Sequence, residues 1–272
     1  MALLKPDHVF NDILYEKRDH VARITINRPK QLNAVTGDTL KELTLALEDA
    51  GQSEDIGVVV LTGAGDRAFC AGGDVHWEKE GGLERQVLEP YSLHISVTRC
   101  PKPVIARVNG YAVGAGNHLA YYCDFTIAAD HAMFGQNGPR VGSPASGATV
   151  SYSSRILGHK RARELWMLCR RYSAAQMLEW GMVNAVVPLA DLDAEVDRWC
   201  QEILALSPTC LRVVKASFAA DIDPLFGAGD AMRRHILDAD FYQVEQQEGA
   251  RAFLEKRKPD FWNLKRGGRD LE

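Results

Sequence analysis

The chain has 272 residues, a hydrophobic content of 46% and a formal net charge of −4. That length and apolar share suit one large domain, or a domain with a helical appendage, around a substantial core. The acidic balance argues against a nucleic-acid partner while leaving room for a local basic patch that holds a phosphate. No run approaches the ~18 apolar residues of a membrane span, and residues 1–12 carry Lys5, Asp7 and Asp12 with no apolar signal core, so a cytoplasmic protein without a membrane partner is expected.

Residues 13–16 and 21–26 read as strands around the turn Lys17-Arg18-Asp19-His20. Arg28-Pro29-Lys30-Gln31 breaks the pattern. Thr36 or Asp38 then caps a helix whose apolar residues recur every three to four positions through 40–48. Residues 56–62 form a continuous apolar run, as in a buried parallel strand. Strand, loop and helix recur after it, which predicts right-handed βαβ units. Further strands are expected at 104–108, 125–128 and 132–134. Beyond about residue 146 helices dominate: one through Tyr152, then 161–170, 173–180, 192–205 and 207–220. Ser173-Ala174-Ala175-Gln176 is a capping-box pattern, and Pro188 interrupts after an apolar segment. The organisation expected is an α/β core over 1–200 and a helical region over 201–272. Six cysteines, at 70, 100, 123, 169, 200 and 210, make no C-x-x-C pair and meet no His cluster at zinc spacing. They read as buried free thiols, with no structural metal.

Two loops of small residues each follow an apolar run. Ala71-Gly72-Gly73 comes after Val58-Val59-Val60-Leu61, and Gly114-Ala115-Gly116 comes after Val104-Ile105-Ala106. Small residues let a ligand carbonyl approach backbone N–H groups closely. Two such groups from separate loops can form an oxyanion hole. Other ordered pieces are Asn27-Arg28-Pro29 with Asn33-Ala34, Ala68-Phe69-Cys70 before the first loop and Asp74 after it, Asn109-Gly110, Cys123-Asp124 and Phe134-Gly135-Gln136. Together they resemble the enoyl-CoA hydratase/isomerase (crotonase) superfamily over about residues 13–261. The segments 138–143 and 255–261 look most like the branch that holds 1,4-dihydroxy-2-naphthoyl-CoA synthase and the ketocyclohexanecarboxyl-CoA hydrolases.

The resemblance implies an α/β fold of ββα repeats in a spiral core, with C-terminal helices that cover the site and build a homotrimer or a hexamer. It implies an acyl-CoA thioester substrate, coenzyme A being part of that substrate and no other cofactor being tightly bound. The oxyanion donors it assigns are the N–H groups of Ala71 and Ala115, the latter standing where Gly is usual. It also implies a cradle for coenzyme A. In that cradle Arg67 meets the nucleotide phosphates. The backbone at Asn33 and Ala34, with Ala71, Gly72, Gly73 and Asp74, lies along the ligand, and Lys256 or Lys258, often from a neighbouring subunit, reaches the 3′-phosphate. Lys30 is a further candidate. For each cation the competing reading is a solvated surface charge.

The acid/base positions depart from the family. The two glutamates of simple hydratases correspond to His118 and Gly138 here. The Asp, Ser and Tyr of the naphthoyl-CoA branch correspond to Ala145, Val150 and Phe241, none of which can replace them. A bicarbonate ion near Gly138 is implied by some synthases. Among the polar residues left, His118 suits proton transfer at neutral pH, against the alternative of a packed histidine. Ser146 or Thr149 either positions a water or caps the helix through Tyr152. Tyr242 adjoins the lost tyrosine position. Asp74 follows the first loop, and His76 and Glu78 are expected in a solvated loop. Two readings stay open: a lyase or hydratase that forms a thioester enolate on a bulky or cyclic acyl-CoA, with a cyclase or ring-opening C–C hydrolase as its variant, and a CoA-ester-binding paralogue without catalysis.

Overall fold

The computed structural model describes residues 4, 8–82, 93–145, 147–236 and 241–261. The chain opens with strands β1 (Ile13–Arg18) and β2 (Val21–Ile26), paired antiparallel. Asp19 and His20 both take positive φ in the turn between them, which matches the right-handed twist of a tight hairpin. Helix α1 (Gly37–Gln52) follows, capped by Thr36 in a capping box with Thr39. Next come β3 (Val58–Gly63), β4 (Ala68–Cys70), α2 (Val75–Lys79), α3 (Leu93–Arg99), β5 (Val104–Val108), β6 (Tyr111–Val113) and α4 (Ala115–Tyr122). The chain continues through β7 (Phe125–Ala129), β8 (Met133–Gly135), α5 (Gly138–Val141), α6 (Ala148–Leu168), β9 (Arg171–Ser173), α7 (Ala174–Glu179) and β10 (Ala185–Val187). Helices α8 (Leu192–Leu204), α9 (Pro208–Ile236) and α10 (Gln246–Leu254) complete the described part.

Among the described residues the larger sheet has the order β1-β2-β3-β5-β7-β10, parallel from β2 onward. Every residue of β3 is buried, because both faces are covered. Val59 and Leu61 join the main core with α1 and α4, while Val58 and Val60 join a second cluster built on Leu192, Val196 and Cys200 of α8. A continuous apolar run is the sequence form of such a strand. The smaller sheet, β4-β6-β8-β9, is parallel except at β9.

Of the helices beyond residue 146, one pair follows the sequence expectation and another helix extends it. The helix through Tyr152 and the helix from 161 are the two halves of α6, separated by a kink at Gly158, whose φ of 73° and ψ of 155° are not helical. Its first half is serine-rich, and Ser151, Ser153 and Ser154 bond back to carbonyls three or four residues earlier, a local pattern that weakens the helical signal. Its cap is Gly147, with no side-chain bond. Thr149 lies inside the helix, and its carbonyl accepts the Tyr121 hydroxyl. Helix α9 runs on past Ala220 to Ile236. A part-buried ion pair ties it to the larger sheet: Lys215 Nζ donates to Asp124 Oδ2 (2.6 Å) and to the Lys102 carbonyl (2.9 Å). Asp124 Oδ2 also accepts the N–H of Val104 at the start of β5.

Candidate active site

The smaller sheet sets the geometry of the site. Strands β4, β6 and β8 are neighbours and run parallel, with Ala68 beside Tyr111 and Tyr111 beside Met133. Their carboxyl ends therefore deliver three loops side by side: 71–74, Gly114 with the start of α4, and 136–138. Carboxyl ends of parallel strands are where open α/β sheets bind ligands. The contact between the first two loops is direct. A Cβ placed on Gly114 would meet Gly72 Cα at 3.5 Å, and one placed on Gly72 would lie 3.8 Å from the Ala115 nitrogen. The second loop is fixed to the third strand by Gly114 N–H donating to the Gly135 carbonyl at 3.0 Å.

The amide assigned from sequence in the first loop is corrected. The N–H of Ala71 donates to the Leu32 carbonyl at 3.1 Å, so it is engaged by the fold. Two residues on, the situation reverses. Val35 N–H takes the Gly72 carbonyl and Asp74 N–H donates to the Val35 carbonyl, both at 2.9 Å, while the N–H of Gly73 between them has no acceptor among the described residues. Ala115 is the first residue of α4, where backbone N–H groups lack intrahelical acceptors, and its N–H likewise has none among the described residues. Gly73 and Ala115 are both partly exposed. The N–H groups of Gly72, Gly116 and Asn117 have no acceptor among the described residues either, but those residues are buried, so the free amides open to a ligand are those of 73 and 115. The alternation of a parallel bridge between Val35 and Gly73 decides this, and a motif read without that bridge does not show it.

Asn33 and Ala34 lie beneath the first loop. Asn33 is 1% exposed, and its side-chain amide donates to the carbonyls of Ala64 (3.0 Å) and Ala68 (2.7 Å). Its own N–H goes to Arg28, that of Ala34 goes to Gln31, and the Arg28 guanidinium takes the Ala34 carbonyl. Both residues brace the loop. Asp74 has three structural bonds as well. Its Oδ1 accepts the N–H groups of His76 and Trp77 at the start of α2, and its Oδ2 accepts from Arg28 at 3.0 Å. Arg67, Lys256 and Lys258 are exposed, and none of them forms an ion pair among the described residues. Ser146 lies outside the described residues.

His118 is 8% exposed and packed. Its ring stacks on Trp166 with centroids 5.3 Å apart, and its Nε2 donates to Gln136 Oε1 at 3.1 Å. That bond ties α4 to the third loop and engages one ring nitrogen of the histidine expected to transfer a proton. Tyr242 packs edge-on against Phe241 in a short π-helical turn.

Glu78 reverses its expectation. It was expected in a solvated loop, and it is 5% exposed. The Asp74 cap winds 75–79 into a helix, which leaves His76 in solvent and turns Glu78 inward. Its Oε1 accepts the Ser143 hydroxyl at 3.0 Å and lies so close to Gly73 that a Cβ there would overlap it. Burial, reinforced by the charge of Asp74 and opposed by the Ser143 bond, pushes its carboxyl up to about 7. The backbone carbonyl of Glu78 accepts the side-chain amide of Gln246 at 2.7 Å, so α10, which packs on α2 and α5, holds it from behind. The sequence signal for this burial is an N-capping Asp four residues before the Glu. At Gly138 the space a side chain would take is filled by the Ser143 carbonyl.

Free amides at the strand ends, with small residues around them and a buried carboxyl beside one of them, can donate to a ligand oxygen. Comparison with known proteins gives the class. The enoyl-CoA hydratase/isomerase family model matches residues 16–264, and the chain belongs to that family of acyl-CoA-processing enzymes. An enoyl-CoA hydratase from Mycobacterium avium subsp. paratuberculosis K-10 is 29% identical, with a TM-score of 0.80 over 92% of this chain and 98% of that one. A carnitinyl-CoA hydratase from Mycobacterium avium is 28% identical, with a TM-score of 0.79 over 93% and 99%. An enoyl-CoA hydratase/isomerase from Xanthobacter autotrophicus Py2 is 29% identical, with a TM-score of 0.75 over 93% and 100%.

Proposed function

We propose that this protein is a lyase of the hydratase type that acts on a bulky or cyclic acyl-CoA by way of a thioester enolate. The observation that carries the reading is the pair of partly exposed amides, Gly73 and Ala115, without acceptors among the described residues, on two adjacent loops with less than a side chain's space between them. When a proton leaves or joins the carbon next to a thioester, negative charge gathers on the carbonyl oxygen. Preset N–H donors at that oxygen lower the barrier, by roughly 3 kcal/mol per donor in comparable enzymes. A bulky acyl group is supported by the likeness of 138–143 and 255–261 to the ring-processing branch. The full cyclase or ring-hydrolase chemistry is not favoured, because Ala145, Val150 and Phe241 carry no group that could perform it.

Coenzyme A would lie across the exposed Arg67, with Lys256 or Lys258 supplied by the same or a neighbouring copy. A trimer or hexamer is supported by the outer face of α9, where Val213, Val214 and Phe218 are 62%, 52% and 72% exposed. A cytoplasmic location is the reading we adopt.

The test is to replace Ala115 by Pro. Proline is tolerated at the first position of a helix, and here it removes an N–H that has no acceptor among the described residues. The fold should survive while kcat falls by about 10²–10³. Unchanged turnover in a folded Ala115→Pro protein would refute the oxyanion role.

A further inference from the structure

We infer that Glu78 is the group that moves the proton in this site, in the position left without a carboxylate at 118 and 138. The inference rests on the acyl-CoA reading above. Among the described residues, buried carboxylates are few, and the others have cations beside them. Asp49 has Lys17, and Glu248 has Arg257 and Arg251. Glu78 has none, and its one side-chain partner among the described residues is a hydroxyl. A carboxylate buried without a cation is costly to the fold, and such costs collect where a group must change protonation state.

The geometry gives that group a target. Oε1 lies 2.0 Å from where a Cβ of Gly73 would stand, beside the residue that carries one of the two free amides, and Oε2 has no hydrogen-bond partner among the described residues. A thioester oxygen held by the amides of 73 and 115 would place its α-carbon within a few ångströms of this carboxyl. The step is then balanced as follows. Ionised Glu78 takes the α-proton. The C–H electron pair becomes the enolate C=C bond, and the carbonyl π pair moves onto the oxygen held by the two amides. Return of a proton from Glu78 restores the ester. Ser143 is a positioning residue: its hydroxyl orients Oε1 and stabilises the ionised form. The titratable and charged groups on the elements around Glu78 are His76 and Lys79 on its own helix with Asp74 at its cap, Arg140 in α5, and Glu248 and Arg251 in α10. Asp74 acts on it directly, while Arg28 neutralises part of the Asp74 charge, and Glu248 is paired with arginines.

The experiment is solvent deuterium exchange into cyclohexanecarboxyl-CoA and butyryl-CoA, followed by mass spectrometry, with the dissociation constant of each ester measured in parallel. Wild-type protein should exchange the α-position, with a rate that rises through about pH 7 as Glu78 ionises. Glu78→Gln should lose at least 100-fold in exchange while its dissociation constants stay within about threefold. Ser143→Ala should still exchange, with the rising limb of the pH profile moved upward, a shift that a merely structural role would not produce. Exchange that survives in Glu78→Gln overturns the inference and leaves the acyl-CoA reading standing. So does a wild-type protein that binds both esters and exchanges neither. Failure of the wild type to bind either ester refutes the acyl-CoA reading itself. Should Glu78→Gln not fold, the Ser143→Ala profile decides, an unmoved limb counting against Glu78.

Discussion

At the scale of single residues, Glu78 makes a claim about stability as well as chemistry. Its carboxyl is raised from the ordinary glutamate value to about 7, so between pH 4.5 and 7 the folded state holds a proton that the unfolded chain has released. Stability must therefore fall as pH rises across that window, by roughly 3 kcal/mol in total at about 1.4 kcal/mol per unit. Glu78→Gln removes this cost. It should leave the melting temperature unchanged near pH 4.5 and raise it at pH 8, which calorimetry at the two pH values would read. His118 leads to the opposite kind of expectation. His118→Ala takes away the stack on Trp166 and the bond to Gln136, so it should lower the melting temperature by several degrees while turnover stays within about tenfold of wild type. A loss as deep as that of Glu78→Gln would restore His118 as the base. Arg67, exposed at the edge of β4, should act on ground-state binding alone. Arg67→Ala is expected to raise KM for CoA esters several-fold with kcat unchanged, and the effect should shrink in high salt. What the sequence showed at this scale was residue type and order. It could not show which amide the chain uses for itself. Ala71 and Gly73 are two positions apart in one small-residue loop, and the Leu32 and Val35 carbonyls that separate their fates come from a distant segment. Glu78 was hidden for a related reason, because its burial depends on α10 and the 138–143 turn closing over it.

At the scale of elements, the site is a property of short parallel strands. β4, β6 and β8 are three residues each, too short to show a period of two, so the sheet that delivers the loops was the least legible part of the fold. The long elements were clear: β3 by its unbroken apolar run, α1 by its cap and spacing, and α7 by its Ser173–Gln176 capping box. The segment after Asp124 also carries an element-scale prediction. The Asp124–Lys215 pair joins α9 to the start of β5, with the lysine side chain 7% exposed. Asp124→Ala leaves that ammonium buried and unpaired and removes the acceptor of the Val104 N–H. A loss of about 3 kcal/mol is expected, measured by denaturant unfolding. Replacing both partners, as in Asp124→Asn with Lys215→Met, should recover much of it, because the uncompensated charge is gone.

At the scale of the whole molecule, a larger sheet supports the smaller one. The main core is shared between them, with Leu61 and Val108 from one sheet and Phe69, Ala112 and Phe134 from the other, so the three loop-bearing strand ends rest on a close-packed, weakly compressible base. Preorganisation of this kind lets backbone dipoles stabilise charge without reorienting. The outer face of α9 gives the corresponding expectation for assembly. Phe218→Glu with Val214→Glu should lower the mass seen by analytical ultracentrifugation, and a wild-type protein that sediments as a monomer at micromolar concentration would set aside the trimeric reading.

The central claim is that the amides of residues 73 and 115 act together on one thioester oxygen. Infrared difference spectroscopy of butyryl-CoA carrying 13C at the thioester carbonyl tests it most directly. On binding, the labelled C=O stretch should move to lower frequency, and in Ala115→Pro it should move back toward its value in water. A bound ester whose carbonyl frequency matches that in water, or a shift that Ala115→Pro leaves intact, would contradict the account.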